Sequence, residues 1–293
     1  MGKENNLFRP EEYFRPSSIG EAVKLTARYG EKGAPIAGGT DVLAGKNPRT
    51  EALIDITNLG LSYIKLDSKG LRIGATTTLT DIEKSPVVNK SAYNIIAQAA
   101  GIVGTPLIRN MGTIGGNLCN AGPSADTPPA LMVLGAELKL VSVRKSRLVP
   151  LDEFFTGPFQ TIREPDELLT EVLLPAIVPR TGTSFQWLTK ITTVDETLVG
   201  VAAVIVLNGN GPVIKDANIA LNSVAPTPMR AKIAEGMLRG KEIKDELITK
   251  VAETVASETR PRSRPDYRRS MSTVLAEQTI KEAIMRAKSS GTG

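Results

Sequence analysis

The sequence predicts an α+β protein of two domains, residues 1–176 and 177–293. Three observations carry that reading. The length of 293 residues suits about two domains of ordinary size. Before residue 176 short apolar strands alternate with helices; beyond it three strands come in a row, then three helices. Pro175 and Pro179 mark the change of pattern, which puts the boundary near residue 176.

The first helix opens at Ser18, with Glu21 three residues on as the partner in a capping box. Ala22, Val23, Leu25 and Ala27 form its apolar face, and Gly30 stops it. Residues 34–37 form a short strand that runs into Gly38, Gly39, Thr40, Asp41 and Val42, a candidate phosphate loop. Residues 52–56 read as a buried strand, and 63–66 and 71–75 as a hairpin about the Asp67–Gly70 turn. Thr80 and Glu83 suit a second capping box. In residues 91–103, Ile95, Ile96, Ala99 and Ala100 recur at helical spacing.

The stretch 109–126 follows, with glycines at 112, 115, 116 and 122 and a single carboxylate, Asp126. Glycine lets a backbone approach a ligand closely, and a plain turn needs only two or three special residues. The stretch therefore reads as a backbone cradle for a large phosphate-bearing cofactor. It precedes a helix over 128–134 with proline in its first turn. Strands are expected at 137–143 and 168–174, with a turn or short helix at 149–155. In the second domain residues 184–192, 198–207 and 216–224 form an antiparallel sheet, its Asn208–Gly211 turn a strong hairpin signal. Helices over 230–239, 245–258 and 267–288 complete the chain.

Neither glycine loop matches a common nucleotide motif. From Gly39 to Gly45 five residues intervene where a Walker loop has four, and Asn47 replaces the required hydroxyl residue. No Gly-x-Gly-x-x-Gly joins a strand to a helix. Composition excludes more. The chain has no histidine and one cysteine, Cys119. It can build no histidine-containing zinc site, Ser-His-Asp triad, iron–sulfur cluster or internal disulfide. Redox chemistry would have to be carried by a bound organic cofactor, and Cys119 reads as an inert buried thiol.

The net charge of +5 is small for this length and no nucleic-acid module is present, so no nucleic-acid partner is expected. The basic cluster at 260–269 reads as a solvated linker, with an acidic partner or anionic ligand as the alternative. The N-terminus shows no apolar signal core, and the longest apolar run, 198–207, is far short of the roughly 20 residues of a membrane span. A soluble, cytoplasmic protein without a membrane span is expected.

Residues 35–41 and 108–117, with Ile54-Asp55-Ile56, Ile73-Gly74-Ala75-Thr76, Pro123-Ser124-Ala125-Asp126 and Tyr267-Arg268-Arg269, closely resemble the flavin-binding medium subunits of molybdenum hydroxylases, which include the xanthine dehydrogenase and carbon monoxide dehydrogenase families. The resemblance covers nearly the whole chain. It implies an FAD-binding domain of the vanillyl-alcohol-oxidase (PCMH) type in two lobes, about 1–57 and 58–176, and a C-terminal domain with a three-stranded antiparallel sheet and helices. It implies non-covalent FAD on this chain. Molybdopterin and [2Fe–2S] clusters would lie on a large and a small partner subunit, in a dimer of heterotrimers. Electrons would pass from the iron–sulfur subunit through FAD to an outside acceptor such as NAD. A self-sufficient FAD oxidase of the same fold is the alternative.

Residue by residue, the resemblance assigns Ile36, Ala37, Gly38, Gly39, Thr40, Asp41 and Val42 to the pyrophosphate region. Thr113, Gly115, Gly116 and Asn117 fall to the phosphates and ribityl chain, and Ile114 to the neighbourhood of the flavin ring. Asp126 matches a carboxylate that hydrogen-bonds the cofactor, with a helix cap as its other reading. Leu169 matches an apolar position near the adenine or ring. Many members carry a lysine soon after an aromatic in the first C-terminal strand; Phe185-Gln186-Trp187 holds none, and Lys190 is the nearest. A cysteine-bearing cluster insert found in one relative, the 4-hydroxybenzoyl-CoA reductase medium subunit, is missing.

Overall fold

The computed structural model describes residues 8–45, 47–190, 196–209 and 211–290. Its first lobe is a small parallel sheet. β1 (Glu12–Phe14) leads through α1 (Ile19–Tyr29) to β2 (Gly33–Ile36). A single helical turn, α2 (Val42–Gly45), precedes β3 (Ala52–Asp55), which lies between β1 and β2. The Ser18 cap forms as expected, but the return bond of the box reaches Ser17 in place of Ser18. Ser18 Oγ accepts from the Glu21 N–H at 3.2 Å, and the Glu21 carboxylate accepts from the Ser17 N–H at 2.8 Å. Ala22, Val23, Ile54 and Ile56 make the lobe's core, which Leu168 of the second lobe closes.

The second lobe opens with the expected hairpin, β4 (Ile64–Asp67) and β5 (Gly70–Gly74). Six short helices follow: α3 (Leu79–Lys84), α4 (Pro86–Asn89), α5 (Asn94–Gly101), α6 (Pro106–Met111), α7 (Ile114–Asn120) and α8 (Thr127–Val133). Then come β6 (Glu137–Val141), β7 (Ser146–Pro150), the small pair β8 (Phe155–Gly157) and β9 (Gln160–Thr161), and β10 (Leu168–Pro175). The main sheet is antiparallel in the order β4-β5-β10-β6-β7. Ile95, Ile96, Leu118 and Leu131 from the helices share one core with Leu71, Ile73, Leu138, Leu140 and Val172 of the sheet.

Two local expectations shift. The cap of α3 is Thr78, whose Oγ1 accepts from the Asp81 N–H at 3.1 Å, while the Thr80 hydroxyl donates to Asn110 at 2.7 Å. The glycine-rich stretch is not one long loop, because α7 occupies its middle and Thr113 Oγ1 caps it, accepting from the Gly116 N–H at 3.1 Å. Two glycines and two asparagines oppose that helix by propensity. Ile114 and Leu118, both fully buried in the main core, hold it in place.

The C-terminal sheet is antiparallel: β11 (Thr181–Thr189), β12 (Thr197–Leu207) and β13 (Ile214–Asn222), with a two-residue fourth strand, β14 (Met229–Arg230). Ile191 and Thr192 of the first expected strand, and Asn210 of the expected turn, lie outside the described residues. Helices α9 (Lys232–Leu238), α10 (Asp245–Glu258) and α11 (Pro265–Ser289) cover one face, packing against Val199, Val201, Ala203 and Ile205. The other face, with Phe185, Ala202, Val204 and Ala220, joins the core of the second lobe. With both faces covered, β12 is apolar along nearly its whole length. Among the described residues no helix is long and apolar enough to cross a membrane.

Candidate cofactor cleft

A cleft of about 580 Å³ opens between the two lobes of the first domain, a size that suits a small-molecule ligand. One wall is the turn from β2 to α2, where Ala37, Gly38, Gly39, Thr40, Asp41 and Val42 all face the cavity. Gly39 has φ +72°, a left-handed conformation that glycine adopts without strain. Among the described residues no backbone carbonyl accepts from the N–H groups of Gly38, Gly39, Thr40 or Asp41. Four adjacent unpaired donors in a turn make an anion-binding concavity. At Gly38 the lobes touch through backbone alone: a Cβ there would lie 1.7 Å from the Met111 carbonyl oxygen.

The opposite wall is α7 with Thr113, and it works differently from the expected phosphate-cradling loop. The donors at the start of α7 are already used, whereas among the described residues no carbonyl accepts from the Thr113 N–H. The N–H groups of Ile114 and Gly115 bond to the Thr77 and Ala75 carbonyls at 3.0 and 2.9 Å, and that of Asn117 to the Thr113 carbonyl at 2.9 Å. The glycines act here by size. A Cβ on Gly115 would lie 2.7 Å from the Ala75 oxygen, and one on Gly116 would meet only Thr113 Oγ1, at 3.0 Å, and otherwise fill the cavity. Asn117 accepts from the Thr127 hydroxyl at 2.6 Å, which leaves its NH2 group as a donor. Asn120 donates across the cleft to Asp41 at 3.1 Å. Ile56, Leu79, Val103 and Leu169 supply apolar lining.

Among the described residues, charge in the cleft comes from Glu31, Asp41, Arg163 and Glu167. Desolvation by the surrounding walls raises the Asp41 carboxyl above its ordinary value. Burial pushes Glu167 up as well, but hydrogen bonds from Arg147, at 2.7 and 2.8 Å, and from the Glu164 N–H outweigh it and hold the carboxyl below the usual range. The Cys119 thiol, also in the lining, is pushed up by burial while the Arg163 charge pulls it down.

Four expected site residues do not line the cleft. Ile36 sits half-buried in β2, and Ile114 is fully buried in the main core. Lys190 is exposed beyond the end of β11. Asp126 is buried where the first domain meets the C-terminal sheet, accepting from Asn222 Nδ2 at 3.0 Å. It stands at the N-cap of α8 without making a side-chain capping bond. Burial pushes its carboxyl up to about 6, against the lowering hydrogen bonds from Thr197 and Asn222 and with Glu196 adding a like charge. Arg109 and Asn110 of the glycine-rich stretch also stay outside. Arg109 pairs with Glu83 at 3.0 Å and donates to the carbonyls of Val103 and Gly104. Sequence reasoning missed Arg163, Glu167, Asn120 and Glu31. Residues 163–166, a charged turn before a strand, carry no pattern that separates them from a solvated loop.

This cleft fits FAD. The free N–H groups suit its phosphates, the space a side chain on Gly116 would take admits its chain, and the apolar lining suits its rings. Comparison with known proteins agrees. The FAD binding domain in molybdopterin dehydrogenase matches residues 7–177, and the CO dehydrogenase flavoprotein C-terminal domain matches 189–283. The carbon monoxide dehydrogenase medium chain of Hydrogenophaga pseudoflava is 33% identical over 284 residues, covering 94% of this chain and 96% of that one. A xanthine dehydrogenase FAD-binding subunit of Escherichia coli O157:H7 is 31% identical over 292 residues, covering 96% and 98%. A solved structure of carbon monoxide dehydrogenase from Hydrogenophaga pseudoflava, lacking the Mo-pyranopterin moiety of its cofactor, superposes with TM-score 0.89 at 32% identity, over 95% of this chain and 98% of that one. With its cleft, its two matched domains and relatives along almost its full length, the chain belongs to the FAD-binding subunits of molybdenum hydroxylases, and is an oxidoreductase subunit with FAD as its cofactor.

Proposed function

We propose that this chain is the electron-transfer subunit of a cytoplasmic heterotrimeric molybdenum hydroxylase, paired as a dimer of heterotrimers. Its partners are an iron–sulfur small subunit and a molybdopterin large subunit that oxidises the organic substrate. The relatives' names, medium chain and FAD-binding subunit, support a multi-subunit assembly. FAD, held without a covalent bond, supplies two-electron redox chemistry between the iron–sulfur clusters and an external acceptor such as NAD. The observation that carries this reading is the row of four unpaired N–H donors in an interlobe cleft, in a chain with no histidine and too few cysteines for a cluster of its own.

The placement of this chain's residues supports the following roles. Gly38, Gly39, Thr40 and Asp41 hold the cofactor's phosphates by backbone donors, while Ala37 and Val42 flank them. Thr113, Gly115, Gly116 and Asn117 shape the opposite wall, and Leu169 gives an apolar face. Ile36 and Ile114 support the two walls from behind. Asp126 stands where the first domain meets the C-terminal sheet, beside Asn222, and Lys190 just past the end of β11; neither lines the cleft. Purified protein is expected to carry FAD that denaturation alone releases, with the other two subunits co-purifying. A colourless chain that binds no FAD at micromolar concentration would sink the proposal. Turnover of a small alcohol by the isolated chain would favour the self-sufficient oxidase.

A further inference from the structure

Among the described residues lining the cleft, Arg163 is the only lysine or arginine. It also lines the adjoining recess of about 300 Å³, with Glu31 and Arg49. Its guanidinium is fixed by backbone carbonyls, donating from NH1 to Glu167 at 2.7 Å and to Glu164 at 3.2 Å. Among the described residues no carboxylate side chain forms an ion pair with it, whereas the neighbouring Glu167 is occupied by Arg147. A cation anchored by neutral partners, with NH2 and Nε left over, keeps its full charge for a ligand. The charged side chains of the described lining would otherwise be carboxylates alone, and backbone dipoles would have to outweigh them before a dinucleotide's phosphates.

We propose that Arg163 is a cofactor-binding residue that supplies positive charge to the phosphates of the bound dinucleotide and sets the cleft's affinity for FAD. The inference rests on the FAD reading and adds a residue to it. A charge role and a merely structural role differ in their response to salt, because screening weakens attraction between charges and leaves neutral packing largely alone.

The test measures FAD affinity of the full flavin-free chain by fluorescence quenching, at low and at about 1 M salt, for wild type, Arg163→Gln and Arg163→Lys. Arg163→Gln is expected to bind FAD about tenfold more weakly at low salt, with the deficit shrinking at high salt. Arg163→Lys should keep most of the affinity. Thermal melts should show all three chains folded. An unchanged affinity in Arg163→Gln overturns the inference, as does a loss that is equal at both salts and shared by Arg163→Lys. Wild-type protein that binds no FAD overturns the FAD reading and this inference together.

Discussion

At the scale of single residues, Asp126 shows how a side chain's environment decides what it does. Its carboxyl titrates near 6 in the folded chain against 3.8 for the free side chain, mainly because burial disfavours the charge. A group with a raised folded value binds its proton more tightly in the folded state. Stability from this group is therefore fullest below about pH 4 and is lost as the pH rises to about 6. Above that the buried charge costs on the order of 3 kcal/mol. Asp126→Asn is expected to stabilise the flavin-free chain at pH 7.5 by up to about 3 kcal/mol. It should also flatten the stability slope between pH 4 and 6, as urea melts across that range would record. An unchanged slope would assign the pH dependence elsewhere. The burial that raises Asp126 was not legible in sequence, because Asn222 and Thr197 come from strands more than seventy residues away. Gly38 to Asp41 were legible, since two adjacent glycines after a strand, then a hydroxyl and a carboxylate, signal a special backbone locally. Arg163 was not, since its value lies in what stands across the cleft.

At the scale of elements, the two glycine segments were both found from sequence, yet they work by opposite means. The β2–α2 turn offers unpaired donors, whereas α7 spends its own on Ala75, Thr77 and Thr113. Sequence could not separate these uses, because whether an N–H is free depends on which carbonyl folds against it. The Gly38 contact offers a direct test. Gly38→Ala would drive a methyl group into the Met111 backbone, which has no rotamer to yield. The lobes must then part, with an expected loss on the order of 2 kcal/mol in melts and a marked fall in FAD affinity. Gly236→Ala in α9, outside the cleft lining and with nothing within 4 Å of its Cβ, should leave both near wild type.

At the scale of the whole molecule, the C-terminal sheet is a shared layer. Its helices cover one face and the FAD-binding domain covers the other. Asn218 donates to the Val133 carbonyl at 2.9 Å, Thr183 to that of Ala92 at 3.0 Å, and Asn222 to that of Ala125 at 2.9 Å. The strands and their antiparallel order were readable from apolar runs and turn residues. Their second buried face was not, because an apolar run does not say what covers it. The sole thiol of the chain, Cys119, stands in the cleft wall. The protein thus carries its own occupancy gauge. A thiol reagent given to the flavin-free chain is expected to label Cys119 faster than in the FAD-loaded chain, and the ratio of the two rates, followed by mass spectrometry, reports how fully the cofactor shields that wall. Equal rates would mean that the cofactor leaves the sulfur as open as it found it.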